Sequence, residues 1–160
     1  MRGAGLALLV LAGCAPPPGA TFVGTWTGTV TRAWACGLSE QYQGAGDEPL
    51  TLAISALDPK TEVFAVDAWP VLCAGFTAAL ERQQGRDGHL DTVYLALAPG
   101  DCPAVADPLA TRQESLTGGT LMVGPLGLTA TWAETATVED FQGVQSCRGL
   151  AYASGLARAP

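Results

Sequence analysis

Lysine is almost missing from this sequence, with Lys60 its one example, and only 14% of residues are charged, well below the usual quarter. The cations present (Arg2, Arg32, Lys60, Arg82, Arg86, Arg112, Arg148 and Arg158) are scattered, and the formal charge is −7. A duplex or an anionic lipid face is gripped by clustered Lys and Arg, so nucleic acid is not an expected partner. Histidine occurs once, as His89. G-x-S-x-G is absent, and so is any close-spaced cysteine pair. Nucleophilic catalysis needs an activated Ser or Cys beside a base, and zinc sites use short C-x₂₋₄-C spacings. The chain is therefore expected to be no enzyme and to hold no cofactor. Asp87, His89 and Asp91 alternate, so an extended backbone would put them on one face as weak metal candidates. Asp87-Gly88 reads more simply as a hairpin turn with His89 and Asp91 on its solvated rim.

Long apolar runs are also lacking. The apolar heart of the leader, Leu6 to Leu11, falls far short of the ~20 residues that cross a bilayer as a helix. It follows Arg2 in an uncharged stretch and has the length of an export signal's core. Leu11-Ala12-Gly13-Cys14 comes directly after it and resembles the bacterial lipobox. That resemblance implies a lipoprotein signal peptide over 1–13, removed before Cys14, with a thioether-linked lipid and an acyl chain such as palmitate on Cys14. One buried acyl chain is a marginal anchor, whereas two or more hold firmly. Residues 14–21, with Pro16, Pro17 and Pro18, form a semi-rigid tether. With no Asp after the cysteine, the resemblance implies the cell envelope, at the outer membrane of a Gram-negative bacterium. The remaining 22–160 suits one domain.

With Cys14 assigned to lipid, Cys36, Cys73, Cys102 and Cys147 remain, an even set for an oxidising compartment. Three pairings are possible. The expected one joins Cys73 to Cys102 locally, and Cys36 to Cys147 if the first and last strands are neighbours.

Glycine, threonine and β-branched residues are plentiful, and the apolar period is two rather than 3.6. Along 22–31, Phe22, Gly24, Trp26, Gly28 and Val30 alternate with threonines, and the even phase continues to Trp34 and Cys36. Further strands are predicted over 50–56, 62–69, 73–82, 89–98, 120–123, 126–136 and 147–156. In the last, Leu150, Tyr152 and Leu156 oppose Gly149, Ala151 and Ala153. Residues 99–115 read as a loop, and 137–146 as a short helical turn. Eight strands in succession predict an all-β antiparallel meander that closes into an up-and-down barrel, in preference to a two-sheet sandwich.

Gly24-Thr25-Trp26 resembles the G-x-W signature of lipocalins. In that family the tryptophan closes one barrel end under an arginine near the last strand, which implies Arg158 here, or Arg148. The expected function is a membrane-anchored, non-catalytic binding or structural module with an unidentified protein partner. The alternative implied by the resemblance is a carrier of a small apolar ligand in the barrel interior. Trp34 and Trp69, at strand ends, are the candidate contacts for a ligand or partner.

Overall fold

The computed structural model describes residues 16–17, 19–37, 43–58, 60, 62–69, 73, 75–84, 90–106, 110–141 and 143–160, and every regular element among them is a β-strand. Ten strands are formed: β1 (Gly24–Cys36), β2 (Gln43–Asp58), β3 (Val63–Trp69), β4 (Phe76–Gln84), β5 (Leu90–Leu97), β6 (Gly100–Asp101), β7 (Val105–Ala106), β8 (Ala110–Gly124), β9 (Gly127–Asp140) and β10 (Gly143–Arg158). All neighbours are antiparallel. The order β5-β4-β3-β2-β1-β10-β9-β8 returns on itself through pairing of β5 with β8, from Tyr94↔Met122 to Leu97↔Gly119. Eight strands thus make a closed, barrel-like ring, while β6 and β7 lie as short strips along β8. Closure supplies backbone partners that an open sheet edge would lack.

The period-two pattern dictates which side chains fill the ring. Phe22, Trp26, Val30, Leu52, Ile54, Phe64, Val66, Leu95, Leu121, Leu128, Trp132 and Leu156 are buried together in one continuous core. Each such large side chain contributes roughly 1.5–3 kcal/mol by leaving water. Their partners in alternation, largely threonines on β1 and β9, face outward. Gly28 admits Leu156 to this core, because a Cβ there would lie 2.6 Å from a leucine methyl.

The ring is uneven in length. β5 meets β8 only at residues 119–122, yet β8 and β9 stay paired back to Ala110↔Asp140, and β9 and β10 to Asp140↔Gly143. From Trp132 to Asp140 the β9–β10 hairpin therefore projects about 26 Å past the closure, at ~3.3 Å per residue. β1 accompanies it as far as Cys36, which stands directly opposite Cys147 and is disulfide-bonded to it. A second disulfide joins Cys73, before β4, to buried Cys102, just after β6.

Two expectations are corrected. The predicted strand at 120–123 is only the end of β8, which begins at Ala110 within the expected loop at 99–115, and β6 and β7 also fall in that loop. Residues 110–115 lack apolar alternation because they lie beyond the packed ring, where the ladder to β9 holds them extended. The expected helical turn at 137–146 is instead the end of the β9–β10 hairpin, where Thr137, Val138 and Val144 suit strand backbone.

Candidate functional site

The sequence candidates fall in different places. Cys14, Asp87 and His89 lie outside the described residues, as does the side chain of Asp91, whose backbone belongs to β5. Trp69 ends β3 opposite Thr51, and its side chain also lies outside the description. Trp34 is half-buried, with the Arg32 guanidinium 4.9 Å from its ring centroid. Trp26 is buried, and its indole N–H donates to the Phe22 carbonyl at 2.8 Å. Arg158 covers its ring at 5.7 Å and donates to the Val23 carbonyl, sealing that end of the ring.

Two features escaped the sequence reading. The first is a buried ion pair. Arg32 is 6% exposed and Glu134 1% exposed, and the Arg32 Nε donates to Glu134 Oε1 at 2.8 Å. Trp132 Nε1 donates to the other Glu134 oxygen at 3.3 Å, and Glu48 reaches within 3.6 Å of Arg32 Nη1. Burial works against the Arg32 charge, but the hydrogen bond and field of Glu134, with Glu114 and Glu48 behind it, outweigh that and raise its pKa. The Nη2 group has no hydrogen-bond partner among the described residues. Gly149 makes room for the cluster, since a Cβ there would lie 2.7 Å from Glu134 Cγ and 2.9 Å from the Trp34 ring. The sequence signal was present, because Arg32 and Glu134 both occupy the buried phase of their strands.

The second feature is on the outside. Across β1, β10, β9 and β8 the register aligns Thr31, Tyr152, Thr131 and Thr120 in one row, and Ala33, Leu150, Ala133 and Gly118 in the next. These rows line a groove of about 720 Å³. Its floor is low because glycine, alanine and threonine occupy the middle, and Leu150 and Tyr152 stand up from it, 48% and 53% exposed. The Thr120 and Thr131 hydroxyls bond each other at 2.9 Å, so two polar atoms of the floor are already partnered. No charged side chain lines the groove among the described residues.

No protein-family model, curated protein or solved structure matches the chain. The site's chemistry must therefore be read from its own residues. Even-numbered residues of β10 face outward from 144 to 154, but Ser146 and the exposed Arg148 stand between Val144 and Leu150, so the exposed apolar surface is that of the groove around Leu150 and Tyr152. Exposed apolar surface on an outer face marks interaction sites in soluble proteins.

Proposed function

We propose that this chain is an exported lipoprotein, anchored to a membrane through lipid on Cys14, whose ring is a non-catalytic binding module that engages a protein partner through its outer face. The observation that carries the binding part is the packed interior. The ring's inside is occupied by Phe22, Trp26, Leu52, Ile54, Phe64, Leu128 and Trp132, all of them buried in the core. An eight-stranded ring is only just wide enough either to fill with side chains or to hold one ligand, and here side chains take the space. The apolar groove lies outside it. Apolar inside and threonine-rich outside is also the reverse of a membrane-spanning barrel, whose lipid-facing side is the apolar one.

The Arg158–Trp26 stack supports kinship with lipocalins at the level of the ring's closed end. It lends no support to interior ligand carriage, because the same Trp26 belongs to the solid core.

Two measurements test the proposal. Labelled palmitate should enter the wild-type chain and be absent from Cys14→Ser, and a Cys14→Ser form that still carries label would overturn the anchor. Native mass spectrometry of purified protein should give the bare polypeptide mass. A co-purifying small apolar ligand that survives occlusion of the groove by Ala133→Trp would overturn exterior binding.

A further inference from the structure

Very little chain separates the lipidation site from the ring. Phe22 is buried in the core, and its N–H donates to the Gly19 carbonyl at 2.9 Å. The Ala20 N–H donates to the Pro17 carbonyl at 3.1 Å. Two tight turns therefore hold this stretch in place. Gly19, at φ +78°, lies against Phe64, since a Cβ there would come within 2.3 Å of the phenyl Cζ. Only a residue without a side chain makes that approach in that backbone. Phe64 is the second residue of β3, next to the β2–β3 turn. The stretch thus covers the end of the ring that Trp26 and Arg158 seal. Cys14 is two residues before Pro16, and two residues of extended chain span no more than ~7 Å. A lipid on Cys14 is held close to the sealed end, not at the end of a long leash.

Charge is distributed to match. At the sealed end, among the described residues, Lys60, Arg82 and Arg158 are balanced by Asp58, Glu62 and Glu81. At the other end the exposed acids Asp47, Asp101, Glu139 and Asp140 outnumber the exposed cations Arg112 and Arg148, and Arg32 is buried against Glu134. From Gly127 to Asp140, β9 covers about 43 Å at ~3.3 Å per residue. Tilted by the ~40° usual in barrels, that still sets the two ends roughly 30 Å apart. The field of an anionic leaflet decays within about 8 Å at physiological ionic strength. The acidic end lies beyond its reach, while the balanced end approaches the headgroups without net repulsion.

From the anchor's position and this charge asymmetry we infer that the sealed end is a membrane-facing surface. Its β2–β3 and β8–β9 turns rest on the lipid headgroups around the Cys14 anchor, and the β9–β10 hairpin stands farthest from the bilayer. This rests on the lipid anchor proposed above and adds the surface which that anchor brings to the membrane. The groove of Leu150 and Tyr152 then lies on the side wall, about 20 Å along β10 from Arg158.

Leu126 and Phe141 are isolated turn residues, 88% and 87% exposed, at opposite ends of β9. Neither is a site, and together they make matched reporters. The test places the photo-crosslinker p-benzoylphenylalanine at 126, and separately at 141, in the full-length lipidated chain. Each protein is reconstituted into phosphatidylethanolamine–phosphatidylglycerol vesicles and irradiated, and adducts are read by mass spectrometry. Phospholipid adducts should form from 126 and be lost at 141. A Gly-Ser linker of about 20 residues between Ala15 and Pro16 has a reach of ~25 Å and frees the ring to turn. It should cut the adduct at 126 severalfold, with far-UV circular dichroism and palmitate incorporation unchanged. Equal adducts from both positions, none from 126, or a yield at 126 that the linker leaves undiminished overturns the membrane-facing surface. In each of those cases palmitate on Cys14 leaves the anchor standing, whereas its absence from the wild-type chain overturns the anchor and this orientation together.

Discussion

Truncating Glu134 to alanine tests whether the ion pair inside the ring is a structural necessity or an ornament. Glu134 is 1% exposed and accepts from Arg32 Nε at 2.8 Å and from Trp132 Nε1 at 3.3 Å. Without it Arg32, 6% exposed, keeps Glu48 at 3.6 Å as its one ion pair among the described residues, and its Nε joins Nη2 in having no acceptor there. A buried charge stripped of its partner costs about 3–5 kcal/mol. Against a total of roughly 5–15 kcal/mol for a domain, that removes about a fifth of the stability or more. The double variant Arg32→Met, Glu134→Leu takes both charges away and fills their space, so it should lie within about 1 kcal/mol of wild type or above it. The coupling between the two sites, taken from the four-way cycle, should then be at least ~2 kcal/mol. Urea denaturation measures it, read by far-UV circular dichroism and by tryptophan fluorescence, since Trp132 and Trp34 both touch the pair. Glu134→Ala costing under ~1 kcal/mol, or single-variant losses that simply add up in the double, would refute the reasoning.

Two further outcomes follow from the staples and the surface charges. The Cys36–Cys147 bridge spans 111 residues and Cys73–Cys102 spans 29, so chain entropy assigns them about 4.8 and 3.6 kcal/mol. Denaturant midpoints of the two double-alanine variants should fall in that order, and a larger loss from the shorter bridge would show that native packing governs instead. At the surface, the Arg82 guanidinium holds both oxygens of Glu62, at 2.9 and 2.5 Å, and keeps that carboxyl below its ordinary value of 4.5. A value lowered by folding contributes stability above pH 4.5 that is lost as pH falls through the native value. Glu62→Gln should therefore flatten the acid limb of the stability curve below pH 4.5 without altering the neutral plateau's shape. High salt should shrink the difference, since both groups are partly exposed.

What could be read from the residues, and what could not, divides along the direction of the information. The clean alternation from Phe22 to Val30 announced β1 and its buried face, and the same phase carried Arg32 inward between Val30 and Trp34. A charge in a buried phase demands a partner, but which one depends on β10 lying between β1 and β9, and no local pattern carries that. The lower half of β8 was hidden for the opposite reason. Residues 111–115 pack on no core, so nothing in their order distinguishes a strand from a loop, and the ladders to β9, β6 and β7 make them one.

The last strand offers the most instructive ambiguity. Its two faces, Leu150 and Tyr152 against Gly149 and Ala151, invite the bulkier one inward on hydrophobicity alone. The structure turns the small face in, because the volume over β10 is taken by side chains from its neighbours. Trp34 and Glu134 close on Gly149, and the core ring of Trp132 lies on the strand beside Ala151. Beyond Ala153 the register shifts at Gly155, where φ is +65°, and that extra residue brings Leu156 back into the core. The exposure of Leu150 and Tyr152 is thus a consequence of how the interior is filled. A slip of one residue would send Leu150 and Tyr152 inward, but it would also set Trp34 against a side chain and part Cys36 from Cys147, its direct opposite. The bridge that steadies the hairpin therefore also fixes which face of β10 looks out, and the groove owes its place to that lock.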